Sequence, residues 1–488
     1  MERFQIQNIT NKLKLAIHSA IEKNKFEDSL QLISVCAQIM YQTNIEYYDS
    51  ELENSLKLVS TKIVNFADQY QSEDTIIFYD SFGLDNRGLA QIYLKALCPN
   101  HKVVYVTFSD RINNIPEICN ILNINNSKIE IIERRRNSKV EQIKKLEKII
   151  REYCPKIFFF YSVPNDVVAT TVMYMYENKM QRYQINLTDH AFWLGAGCVD
   201  KCIEFRDYGA SISEKYRKIL KEHIVKIPFY PCINRKQEFE GLPFEKKDRK
   251  IIFSGGALYK TFSKDNLYYL TIDNILSKFS NTCFWYAGSG DDSKLQELIM
   301  KYPDRVFFTD ERKDLYQLLL HCDVYYSTYP ICGGLMFQYA ASAGKVPLTL
   351  KNNEITDDFL LNQKELSVEF DSPDNLINEC GKLLYDSEYY IKRTEEMCNS
   401  VIVPQDFDNL VNKLIENRIK TGDYTFQQID VVKFRNLYLD RLLEKDLNQM
   451  LVKKNNIYLI FRLMPIRTIN GVYYKIIKKI MQLIKFIK

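Results

Sequence analysis

The spacing of apolar residues changes character along the chain. In residues 1–72 the period is helical: Phe26, Leu30, Ile33, Ala37 and Met40 fall on one face, and a second amphipathic run comes next in LENSLKLVSTKIVNFADQY. This predicts a short helical preface that docks on the neighbouring domain. At Thr75 the pattern turns to short apolar runs. TIIFYDSF, KVVYVTF, KIEIIE, KIFFFYSV and YQINLT predict strands, and VEQIKKLEKIIREY predicts one of the helices between them. Strands alternating with helices predict a parallel sheet covered on both faces.

The alternation stops at FYPCINRKQEFEGLPFEKKDRK, whose prolines, glycine and charges suit a domain boundary. It restarts with KIIFSGG, TCFWYAG, RVFFTD, DVYYSTYP, KVPLTL and LSVEF as strands. YYLTIDNILSKFS, SKLQELIMKY, KDLYQLLLHC and LMFQYAASAG are the helices between them. From about Asp374 the chain reads as mostly helical. The expected organisation is a helical preface at 1–72 and an α/β domain at 73–235. Beyond these lie a second α/β domain at 246–400 and a helical tail at 401–488.

Composition narrows the partners. The 488 residues are 46% hydrophobic, enough for several cores, and the net charge of +4 argues against a nucleic-acid binder. The twelve cysteines show no paired CxxC motif, as suits free thiols in a reducing cytosol. His190, Cys198 and Cys202 fit no zinc spacing, so no metal is expected. The N-terminus is polar and lacks the apolar core of a secretory signal. No run is long enough to span a bilayer.

The tail does suggest a membrane surface. From Leu451 onward there are nine Lys or Arg and no Asp or Glu. Tyr473, Ile476, Ile477, Ile480, Ile484 and Ile487 form one stripe, and Lys475, Lys478, Lys479, Lys485 and Lys488 take the other side. Such a helix lies in the interface of anionic lipid. A helix packed on the protein with solvated lysines is the alternative, and the absence of acids favours lipid. The expected location is the cytoplasm, peripheral on the inner face of the cell membrane, with residues 451–488 as the contact.

Ligands of open parallel sheets bind beyond the C-terminal ends of strands. In TYPICGGLMFQYAASAGKVPLTL a strand ends near Thr328, Gly333 and Gly334 make a turn, and a helix begins near Leu335. Backbone N–H groups at such a helix start suit a phosphate. Gln338, one turn into the helix, is placed for a ribose hydroxyl. In IIFSGGALYKTFSKDN a strand runs into Gly255 and Gly256, and Lys260 comes after them. Lys260 reads either as a cation for a diphosphate leaving group or as a surface lysine. Two segments in the right order and spacing favour the first.

These two segments resemble the donor-binding region of GT-B glycosyltransferases. The Gly-Gly pair, helix and Gly-x-x-Pro return are similar to the retaining GT4-like group and to the O-GlcNAc transferase-like group; Leu258-Tyr259-Lys260 resembles the lysine-bearing segment of the latter. Those families often carry a carboxylate where this chain has Gln338, and hydroxylated residues where it has Leu335 and Met336. The resemblance covers roughly Thr75 to Ser400. It implies an α/β fold of the GT-B type: two Rossmann-like domains facing a cleft, with the helical preface and C-terminal helices added.

It also implies a cleft loop at Gly83, Asn86, Arg87 and Gly88, where Arg87 either pairs with a phosphate or serves near a helix cap. In INLTDHAFWLGAG, Asp189 and His190 are the candidate catalytic pair that activates an acceptor hydroxyl, with Phe192 and Trp193 available to stack on sugar rings. Alternatively His190 only satisfies a buried Asp189. AGSGDD offers Gly288 and Gly290 to the nucleotide, and Asp310 to Leu315 is where relatives hold the base. Asp406-Phe407-Asp408 is a DxD triplet, but it opens a helix and reads as an N-cap.

The expected activity is metal-independent transfer of a sugar from a nucleotide diphosphate sugar, UDP-linked, to a glycan or lipid-linked acceptor in surface polysaccharide synthesis. No cofactor besides that donor is expected. An NDP-sugar epimerase and a non-catalytic nucleotide-sugar-binding scaffold are the rival readings.

Overall fold

The computed structural model describes residues 3–64, 70–85, 88–134, 138–352, 355, 358–453 and 456–487. The chain separates into two compact units. One comprises residues 1–86, 93–227 and 410–488, the other 87–92 and 228–409.

The first unit opens with α1 (Arg3–Glu22), α2 (Phe26–Thr43) and α3 (Ser50–Ile63). Its sheet is formed by β1 (Glu73–Asp80), β2 (Lys102–Phe108), β3 (Lys128–Ile132), β4 (Pro155–Tyr161), β5 (Gln181–Ile185), β6 (Lys201–Glu204) and β7 (Ile224–Lys226). Between the strands run α4 (Leu89–Leu97), α5 (Pro116–Ile124), α6 (Lys139–Tyr153), α7 (Val167–Met175) and α8 (Asp207–Lys215). The strand order is β3-β2-β1-β4-β5-β6-β7, parallel throughout. β6 and β7 escaped the sequence reading because four and three residues are too few to show alternation; only the pairing of β6 onto β5, and of β7 onto β6, reveals them.

The second unit repeats the plan with β8 (Lys250–Ala257), β9 (Thr282–Ser289), β10 (Val306–Thr309), β11 (Val324–Tyr326), β12 (Pro347–Leu350) and β13 (Glu369–Phe370). Its helices are α9 (Leu267–Lys278), α10 (Ser293–Lys301), α11 (Leu315–Leu320), α12 (Gly334–Ser342), α13 (Pro373–Tyr385) and α14 (Ser387–Cys398). The order is β10-β9-β8-β11-β12-β13, again parallel. Alternate residues of β8 serve opposite faces. Ile252 joins Tyr268 and Phe337 on one side, while Ile251 and Phe253 join Trp285 and Leu318 on the other.

After α15 (Pro404–Ile415), which spans the boundary between the units, come α16 (Val431–Arg441), α17 (Glu444–Leu451), α18 (Ile457–Leu463) and α19 (Pro465–Ile487). The preface and tail helices share a core with the first sheet. Leu13, Leu30 and Leu56 share one core with Tyr79 and Phe158 of the sheet and with Leu447, Leu451 and Ile460 of the tail. The reason lies in α2, which buries Leu30, Leu32, Ile33, Val35, Cys36, Ile39 and Met40 and packs against α1, α6 and α17. A helix apolar on most of its circumference needs partners all round it. The first sheet's last strand ends at Lys226.

A buried carboxyl ties the preface down. Glu53 of α3 is 2% exposed, accepts the Gly195 N–H at 2.8 Å and takes the Tyr174 hydroxyl. Burial, against the pull of those hydrogen bonds, pushes its pKa up to about 7. A carboxyl raised in the folded state stabilises fully below its unfolded value and loses that contribution as pH rises to the folded one. Wild-type stability is therefore expected to fall by about 3 kcal/mol through this group between pH 4.5 and 7. Glu53→Gln should flatten that slope in urea titrations, and parallel slopes would refute the assignment.

Candidate functional site

In a sheet of this order the chain leaves β8 and β11, which are neighbours, towards opposite sides, and a crevice opens beyond their C-terminal ends. The loop after β8 is a single 3-10 turn, Leu258–Thr261, carrying Lys260. The loop after β11 runs to Gly333, the N-cap residue of α12. The two loops touch, since the Ile331 N–H donates to the Lys260 carbonyl at 3.3 Å. The Lys260 ammonium lies 3.7 Å from where a Cβ on Gly333 would sit, and the Thr328 hydroxyl oxygen 3.8 Å from the same point.

No side chain caps α12, and no acid occupies its first turn. Among the described residues Lys260 has no carboxylate partner. A half-buried lysine therefore stands beside the free N–H groups of a helix start, an arrangement that attracts a multiply charged anion. Of the expected donor residues, the structure thus brings Lys260, Gly333 and Gly334 together. Gly256 sits at φ +122°, with open space where a side chain would be. Gly334 has a different duty: a Cβ there would lie 2.4 Å from the Phe359 ring, so this glycine admits an aromatic side chain against the helix. Gly255 is buried at the end of β8, and Leu335 is half-buried in the first turn of α12.

Gln338 is less free than expected. It is 2% exposed, and its amide nitrogen donates to the Phe229 and Phe359 carbonyls at 2.8 and 3.0 Å. Both N–H groups brace α12 against neighbouring chain, and only its oxygen, which has no partner, remains to meet a hydroxyl. The segment expected at the base is pinned in the same unit: Arg312 pairs with Asp314 at 2.6 Å, and Asp314 accepts the Glu240 N–H at 2.8 Å.

In the first unit the equivalent crossover lies between β1 and β4. Gly83 at φ +57° donates its N–H to Asp80 at 2.8 Å, and Gly88 is at φ +67°. Asn86 and Arg87 lie outside the described residues. Asp80 went unnoticed in the sequence. It is fully buried at the end of β1, where it also accepts the Tyr105 hydroxyl at 2.8 Å and so shapes this loop.

Asp189 and His190 come after β5, two places from β1. Asp189 is buried, with Arg206 Nε at 2.6 Å and His190 Nδ1 at 3.2 Å. Burial opposes its charge, but the Arg206 guanidinium and the His190 hydrogen bond outweigh it and hold the carboxyl well below the usual carboxylate range. It is a fixed counter-ion that pairs with Arg206 and orients His190. His190 is 35% exposed at the side chain, and its ring lies alongside Tyr438. With Nδ1–H turned to Asp189, Nε2 is the nitrogen left to accept a proton.

The loop itself is held by Arg217, which donates to the Thr188, Asp189 and Ala191 carbonyls at 3.0, 2.8 and 2.6 Å. Phe192 and Trp193 are buried, Trp193 against the Arg217 guanidinium, so neither is open to a sugar ring. The DxD triplet lies within the first turn of α15 rather than at its cap, and Phe407 is buried against Tyr230.

A basic group near the ends of β2 and β3 was also missed. The Arg134 guanidinium lies 3.8 Å over the Phe108 ring. Burial and the Arg134 charge hold the Lys139 pKa below its ordinary value, against the pull of Asp166. Burial, then Lys139, Lys475 and Arg134, does the same to Lys453 of the tail. The only trace in the sequence is the basic run around 134–139.

Two parallel sheets of seven and six strands, each flanked by helices, make this a two-domain α/β fold. Solved structures that align with it include an O-GlcNAc transferase mutant from Thermobaculum terrenum, at 12% identity over 88% of this chain and 80% of that one, TM-score 0.49. A UDP-GlcNAc 2-epimerase from Neisseria meningitidis bound to UDP-GlcNAc aligns at 12% identity over 70% and 98%, TM-score 0.49. WaaG, a glycosyltransferase involved in lipopolysaccharide biosynthesis, aligns at 13% identity over 70% and 99%, TM-score 0.43. By sequence the chain matches no protein-family model and no curated protein.

Asp189→Asn should cost about 3–5 kcal/mol in urea unfolding at pH 7, because Arg206 is left buried without its counter-charge. A carboxyl held low in the folded state stabilises fully above the unfolded value, about 3.9, and loses that contribution as pH falls from there through the lower folded value. The gap between variant and wild type should therefore narrow in acid. His190→Ala should cost under about 1 kcal/mol. Equal costs for the two variants would overturn this division of roles.

Proposed function

We propose that this protein transfers a sugar from a nucleoside diphosphate donor, UDP-linked, to an acceptor hydroxyl on a glycan or lipid-linked molecule in surface polysaccharide synthesis. The observation that carries the proposal is the meeting of Lys260 with the uncapped start of α12 at the crossover of the second sheet. As the bond from sugar to diphosphate breaks, charge gathers on the departing phosphate. A preorganised ammonium and helix N–H groups stabilise that charge more in the transition state than in the bound donor. His190 Nε2 takes the acceptor proton, with Asp189 holding the ring's tautomer. Arg134, Lys139 and Lys453 suit an acceptor that carries phosphate. The proposed chemistry needs no metal or other cofactor.

The tail supports work at an anionic membrane surface. In α19, Ile466, Ile469, Tyr473, Ile476 and Ile480 are 49–74% exposed, while Thr468 packs inward. Lys478 and Lys479 are exposed on the same helix. The side chains of Ile484, Lys485, Ile487 and Lys488 lie outside the description. Among the described residues no helix is long and apolar enough to cross a membrane, so the proposed contact lies on the surface of the cytoplasmic leaflet. One observation favours a non-catalytic nucleotide-sugar-binding scaffold instead: Gln338 brings no charge and spends both donors internally.

Calorimetry against UDP, GDP, ADP and UDP-sugars tests the donor site. One diphosphate is expected to bind, and Lys260→Ala should weaken it about tenfold or more. Binding of none would refute the proposal, and binding without transfer to any acceptor would select the scaffold. For the membrane, Ile476→Glu with Ile480→Glu is the informative change, since cutting at Leu451 would remove buried core residues. The double variant should lose co-sedimentation with vesicles rich in phosphatidylserine, and unchanged sedimentation would sink the idea.

A further inference from the structure

The second unit carries a cavity of about 550 Å³ that the donor site does not use. Its walls include Lys250 at the start of β8, Asp323 just before β11 and Lys345 just before β12. These are the N-terminal ends of the strands. Lys260 lies beyond their C-terminal ends, about 25 Å away along the eight residues of β8. Leu320, Leu383 and Ile391 supply an apolar side.

The charges here do not cancel. Lys250 pairs with Asp323 at 3.2 Å, and Asp323 also accepts the Ile251 N–H at 2.8 Å. Asp386, which caps α14 by accepting the Tyr389 N–H at 3.0 Å, lines the cavity too, so three lysines face two aspartates. That leaves Lys246 and Lys345, neither of which has a carboxylate partner among the described residues. Lys345 is only 8% exposed, and its ammonium donates to the Tyr390 hydroxyl at 2.6 Å, a neutral acceptor. A buried ammonium satisfied by one phenol lacks a counter-charge that burial normally demands. Ser387, the first residue of the twelve-residue α14, lines the same cavity and adds a hydroxyl to it.

We propose that this cavity is a second ligand site, which binds a small phosphate-bearing molecule with an apolar portion. Lys246 and Lys345, neither of them in an ion pair among the described residues, suit the dianionic charge of a phosphate monoester better than a single carboxylate. The volume lies within the range of small-molecule sites. The site is independent of the donor site, because its residues sit at the opposite edge of the sheet.

The test uses the full chain carrying Lys260→Ala, so that the donor site is weakened. Glucose 1-phosphate and phenyl phosphate are titrated by calorimetry, with benzoate as the carboxylate probe. Phosphate monoesters should still bind, phenyl phosphate more tightly than glucose 1-phosphate. Adding Lys345→Met, which keeps the aliphatic stem, or Lys246→Ala should weaken them about tenfold or more. If Lys345→Met fails to fold, Lys246→Ala decides alone. Absence of binding, binding undiminished by Lys246→Ala, or benzoate bound as tightly as phenyl phosphate would each overturn the proposal.

Discussion

The parallel pairing of β8 with both β9 and β11 is the constraint on which the donor-side chemistry depends. Parallel strands are joined by crossovers, and a sheet built outward from its middle must send consecutive crossovers to opposite sides. The two loops at that divide are left uncovered by either helical layer. Lys260 and Gly333 belong to those two loops, 73 positions apart in the chain, and the sheet alone makes them neighbours. The same order in the first sheet places Asp80 and Gly83 at its own divide.

Charge inside the first unit is organised to hold backbone. Arg217, 1% exposed, gathers three carbonyls of the 188–191 loop. Arg206 neutralises Asp189, and Glu53 reaches from α3 to the Gly195 N–H. Each buried charge is matched by several hydrogen bonds, which is how such groups persist in a low-dielectric interior. This network fixes His190 in place and leaves only its outer nitrogen available. It also explains why Trp193, aromatic and near a candidate base, is structural: the arginine that anchors the loop needs a face to lie on.

Regular features were the legible ones. β8, β9 and α12 are long enough, or apolar enough, for their periodicity to show in one dimension. Two glycine pairs at strand ends pointed to the loops that do converge. Less legible were features set by partners remote in sequence. β6 and β7 exist by pairing. Gln338 looked free to reach outward, yet Phe229 and Phe359, from separate segments, take its donors. Gly334 has the look of a phosphate-loop glycine in one dimension, and in three it makes room for Phe359.

The sequence by itself determined the α/β alternation, its restart after the linker, the glycine-bounded strand ends and the acid-free basic tail. All of these are local properties, written in periods of two and 3.6 residues or in composition. Only the tertiary structure decided that α1–α3 and α16–α18 share one core with the first sheet, that Asp189 is a buried counter-ion, and that Lys260 stands at the start of α12. Those outcomes depend on burial and on contacts between distant segments. Burial sets which charges must be paired, and no window along the chain contains both partners.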